Sequence, residues 1–170
     1  MNLVFRFTGL AADALARLAV LLLGALVLIV SADVGVRAAG LRPLAWVPQV
    51  AESILLYATF LPMAALVREK GHVFVEFLRA PLPAWAQRAL ERFVYLACIA
   101  ISTWLGWIGW QHLAESVRTG AFVTGTYDMP RWVVFLPMVL GFGLSALEWL
   151  RMLLGHDSLY RADAQARGGY

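Results

Sequence analysis

Charge is scarce in this sequence. Of its 170 residues, 15% are charged and 61% hydrophobic, whereas a soluble domain carries about 25% charged and about 45–50% apolar residues. The mean hydropathy is +0.71. One soluble core of this length cannot hold that many apolar side chains, so part of the surface is apolar as well. Only lipid or a large partner tolerates such a surface. Cysteine is almost absent. The single Cys98 lies in an apolar run, which excludes an intramolecular disulfide and a cysteine-based metal site. Lysine is equally rare, and Lys70 follows no glycine loop, so a Walker A phosphate site is excluded. HExxH and GxSxG are missing too. No basic run is interleaved with aromatics, which removes nucleic-acid binding.

What is present is four long apolar stretches: Leu18–Ala32, Ser53–Val67, Phe93–Ala114 and Trp132–Leu147. A span needs about 20 residues, and about 17 suffice where flanking polar side chains reach the interface. Backbone groups in lipid must be satisfied within the segment, and four short strands cannot close a barrel. The expectation is an all-α membrane protein forming one domain over 1–170. Its spans fall at about 15–36, 47–67, 91–114 and 131–152, with a polar tail at 156–170. Pro62 and Pro137 lie inside spans two and four and should kink them.

Between spans two and three, Leu82, Trp85, Ala86, Ala89, Leu90 and Phe93 share one helical face. Gln87, Arg88, Glu91 and Arg92 share the other. That pattern fits an amphipathic interfacial helix at about 83–92, or alternatively the first wet turns of helix three. Ten of the 14 Lys and Arg residues fall in the N-terminal segment, the second loop and the tail. The positive-inside rule therefore places both termini in the cytoplasm. Trp46 and Trp132 then lie near the outer interface and Trp85 near the inner one. A basic start, an apolar run and "VSAD" also fit a signal peptide with a small-residue cleavage site.

The densest ionisable stretch is REKGHVFVEFL, residues 68–78. Arg68 and Lys70 suit an anionic inner leaflet. His72 and Glu76 together give two ligands, where a structural zinc site takes four. His72, His112 and His156 are far apart in sequence, and a bis-histidine haem needs ligands at similar depth. Glu52 opens span two. It fits a proton or ion site, a partner anchor, or a carboxylate at the water interface near Arg37 or Arg42. In "WLGWIGW", Trp104, Trp107 and Trp110 recur every three residues with Gly106 and Gly109 between them. The stripe fits a groove for a partner helix, or lipid-facing bulk. Pro130 closes a turn-rich loop where span four begins, a place that suits proline at a helix start.

Taken in order, several motifs resemble the small membrane subunit of TRAP transporters, the DctQ-like family, from about Asp33 to about Gly155. These are "DVGVR" with Arg37, "WVPQVAES" with Glu52, "LVREKGHVFVEFL" with Arg68, His72 and Glu76, "PLPAW", "MPRW" with Pro130, and "FLPMVLGFGL". Ala51 stands where the family often has a second acidic residue, and Glu76 where it often has Asp. The resemblance implies a noncatalytic subunit without cofactor or metal in a bacterial inner membrane. It would brace a large membrane subunit for Na⁺-coupled uptake of an organic acid such as a dicarboxylate, delivered by a periplasmic binding protein. It also implies a retained first span. Arg37, Glu52, Arg68, His72, Glu76, Trp104, Trp107 and Pro130 are then candidate interface or structural residues. Two other functions fit the residues: a small proton-coupled carrier using Glu52, and a haem-bearing anchor of a redox enzyme.

Overall fold

A computed structural model describes residues 2–69, 83–126 and 128–154. The elements run α1 (Asn2–Ala38), α2 (Val47–Phe60), α3 (Met63–Arg68), α4 (Ala84–Thr119), β1 (Phe122–Val123), β2 (Met129–Pro130) and α5 (Trp132–Leu153). The two strands form a small antiparallel hairpin. Four stretches are long and apolar enough to cross a membrane: Thr8–Ala38, Val47–Arg68, Trp85–Thr119 and Trp132–Leu153. The protein is thus an all-α membrane protein.

Proline writes the bend in the second span. Pro62 has no amide hydrogen and clashes with the preceding turn, so regular helix stops at Phe60 and resumes at Met63. Leu61 and Pro62 keep right-handed helical dihedrals. Pro137 lies within α5 without ending it, because its freed acceptor finds another donor. The carbonyl of Val133, four residues earlier, loses its usual amide, and the Tyr57 hydroxyl donates to it at 2.9 Å. Tyr57→Phe should therefore destabilise the chain by about 1 kcal/mol, the cost of orphaning a half-buried acceptor. In a Pro137→Ala background the amide returns and the same change should cost almost nothing. Thermal unfolding of the four chains in mild detergent measures that coupling.

Length distinguishes the helices. At 1.5 Å per residue, the 22 residues of α5 span about 33 Å, close to the hydrocarbon thickness of about 30 Å. The 37 residues of α1 and the 36 of α4 reach about 55 Å. The amphipathic 83–92 stretch is not set off as a separate interfacial helix. α4 runs unbroken from Ala84, so these residues are the first turns of the third long helix, the alternative that their pattern also fits. Pro130 also differs from expectation. It pairs with Phe122 in the hairpin, and α5 begins at Trp132 behind Arg131. A two-stranded ribbon has only edges, where a missing amide is tolerated.

α5 is the central element. α4 packs along one side of it, and α1, α2 and α3 gather on the other. Small residues let the backbones meet. Gly106 and Gly109 of α4 face Phe142, Met138 and Val139 of α5. Ala12, Ala64 and Ala65 close the seam between α1 and α3. At the bend, Gly141 sits directly against the Phe60 carbonyl. Towards the other end, Val67, Tyr95, Trp149 and Met152 form the larger apolar cluster among the described residues.

Candidate functional site

The charged side chains of the spans gather at two ends. At the hairpin end, Asp33 is buried near the last turns of α1. One carboxylate oxygen accepts the Leu44 amide at 2.8 Å, and the other meets the Arg37 guanidinium one turn on. Gly40, with φ of 74°, lets the chain reverse after α1, while Leu41 donates back to the Val36 carbonyl. Together these bonds fold "GLRPL" back onto its own helix. Thr126 in the hairpin loop donates to the Ala45 carbonyl at 2.9 Å, and Ser53 of α2 approaches Met129. The two loops of this end are thereby fastened to each other.

At the opposite end, Arg68 at the close of α3 lies over Gly9 and pairs with Asp13 at 3.0 Å. A side chain at Gly9 would occupy the guanidinium's place, since its first carbon would lie 2.6 Å from the nearest guanidinium nitrogen. Glu148 of α5 is 1% exposed. It accepts from Arg151 at 3.0 Å and from the Thr8 hydroxyl at 3.4 Å. This cluster ties α1, α3 and α5 together. Asp13 and Asp33 are twenty positions apart on α1, about 30 Å along a helix, the thickness of the hydrocarbon layer. Each end of the apolar slab is marked by a paired carboxylate.

The candidate residues divide accordingly. Arg37 and Arg68 are held in ion pairs with Asp33 and Asp13. Pro130 belongs to the hairpin. Glu52 is exposed on α2, and no hydrogen bond or ion pair joins it to any described residue. Its expected neighbour Arg37 is turned to Asp33 instead. Trp104 and Trp107 are 69% and 60% exposed. They point away from the bundle, whereas Gly106, between them, and Gly109 face α5. The aromatic stripe and the glycine face are therefore opposite sides of one helix. His72 and Glu76 lie outside the described residues, as does His156. His112 stacks on Phe135 with ring centroids 5.2 Å apart, and Arg131 lies over the same ring.

Sequence reasoning passes over Thr8, Asp13, Asp33 and Glu148 as functional residues. Spacing carries part of the signal, since Asp33 with Arg37 and Glu148 with Arg151 sit one turn apart. The contacts of Asp13 with Arg68 and Thr8 with Glu148 join distant segments and leave no such trace.

Among curated proteins, none matches the chain significantly. The family model for the DctQ component of tripartite ATP-independent periplasmic transporters matches residues 26–157. That match covers well over half of the chain, taking in the last third of α1 and every later element. It marks a transporter subunit, not an enzyme. The chain belongs to the DctQ family and is the small subunit of a TRAP transporter.

Proposed function

We propose that this subunit is a noncatalytic brace. It holds a large membrane subunit that performs Na⁺-coupled uptake of an organic acid, of the dicarboxylate kind, handed over by a periplasmic binding protein. The carrying observation is where charge sits. Asp13, Asp33 and Glu148 are paired at the two ends of the bundle, and the flank between them exposes large apolar side chains of α1 and α4. A carrier needs polar groups lining a path near the bilayer midplane, and these carboxylates are engaged elsewhere. Glu52 faces outward from α2, which suits a contact with a neighbouring subunit better than an internal proton path. Trp104 and Trp107 offer apolar area to the same kind of neighbour. Arg37, Arg68 and Pro130 act one step back by fixing the loops at the two ends. His72 and Glu76, which lie outside the described residues, are assigned on this reading either to ordering the helix that follows or to contact with the large subunit.

On this reading the protein lies in the bacterial inner membrane with both termini cytoplasmic, in accord with its arginine distribution. The hairpin end then faces the periplasm and the binding protein. Reconstitution into liposomes tests the proposal. With a sodium gradient, uptake should require this chain, the large subunit and the binding protein together, and the chain alone should move nothing. Flux through the chain alone that disappears in Glu52→Gln would support the proton-carrier function instead. A Soret band in the purified chain would support a haem anchor.

A further inference from the structure

Between α3 and α4, over the surface of α5, lies an open cavity of about 240 Å³. Its walls are largely apolar, with Leu66 and Ile101 on the exposed rim and Phe142 and Trp149 deeper in. Two hydroxyls line it, Ser102 from α4 and Ser145 from α5. Ser145 is 1% exposed, and its oxygen has no hydrogen-bond partner. No described residue bonds the Ser102 hydroxyl either. Four other helical hydroxyls behave differently. Ser53, Thr59, Ser116 and Thr119 each donate to the carbonyl four residues back. A serine in an apolar helix has that route open to it, yet the two facing the cavity do not take it.

The wall formed by the second span extends this surface. Glu52, Leu55, Thr59, Met63 and Leu66 follow at steps of three and four residues, which places them along one helical stripe. Glu52, without a partner among the described residues, thus heads a stripe that ends at the cavity rim. Ser102 and Ser145 stand near the middle of their spans, at the depth of acyl chains. A lipid tail fills apolar space but accepts no hydrogen bond, so lipid leaves both hydroxyls unsatisfied. A polypeptide helix can supply an acceptor there and a cation opposite Glu52, and small or hydroxyl residues are what such contacts favour.

We propose that this groove is the seat of one transmembrane helix of the large subunit, which bonds Ser102 and Ser145 near the midplane and presents a basic side chain to Glu52. The inference rests on the bracing function proposed above. Two measurements on the co-expressed complex test it. A photo-crosslinking residue at Leu66 or Ser102 should capture the large subunit in clearly higher yield than one at Val20, on the exposed flank of α1. Ser102→Ala with Ser145→Ala should leave the isolated chain as stable as before, because neither hydroxyl bonds within it. The same pair should weaken association by about tenfold, taking about threefold per lost interhelical bond. Groove positions that capture only lipid, or a second copy of this chain, while the large subunit is captured elsewhere would overturn the groove and leave the bracing function standing. So would an unchanged affinity in the double alanine variant. A wild-type chain that never associates with the large subunit would overturn both.

Discussion

Glu148→Ala is expected to lower the thermal stability of the detergent-solubilised chain by about 3 kcal/mol. Removing one member of a buried ion pair costs about 3–5 kcal/mol, and the lower figure applies because Arg151 is 18% exposed and partly wet. The loss goes beyond the pair, since Glu148 also receives the Thr8 hydroxyl from α1. Loosening at this end should therefore spread to α1. Hydrogen exchange should rise around residues 8–16 in the variant, while the hairpin end stays protected. Glu148→Gln keeps an acceptor for both partners and should lose less than half as much. If the alanine variant melts like the wild type, the cluster is not what holds α1 to α5.

The second large effect belongs to Gly141. A β-carbon at this position would overlap the Phe60 carbonyl. That neighbour is backbone, fixed by the Pro62 bend, and cannot rotate away. Gly141→Val should cost about 3 kcal/mol, the upper part of the overpacking range, or prevent folded chain from accumulating. Gly143 is the matched control. It lies two residues on in the same helix, and nothing stands within 4 Å of the corresponding position. Gly143→Val, the same substitution, should change stability by less than about 1 kcal/mol in the same melting experiment. Equal effects at the two sites would show that helix propensity, and not the crossing at the bend, sets the response.

The number and order of the spans are legible in the sequence because long apolar runs bounded by arginine are strong signals in their own right. The bend at Pro62 is legible for a local reason, the missing amide. Other features depend on which residues meet across the bundle. Tyr57 and Val133 are 76 positions apart, and nothing in either neighbourhood announces that the phenol replaces the amide Pro137 lacks. In "WLGWIGW" the pattern reveals the residue types but merges their faces. At about 100° per residue, Gly106 lies on the far side of the helix from Trp104, and α5 takes the glycine side. Position alone assigns Arg68 to lipid head groups. Its partner Asp13 sits on a helix whose approach is set by the alanine seam, which short-range pattern does not reveal. Pro130 reads as a helix start because the hairpin that holds it is only two residues deep on each side.

The most direct test of the account is whether this chain exists as one half of a membrane pair. Tagged and co-expressed with the large subunit of its transporter, it should elute from size exclusion in mild detergent as a single stable complex containing both polypeptides. Two separate peaks, each chain monodisperse on its own, would contradict the account.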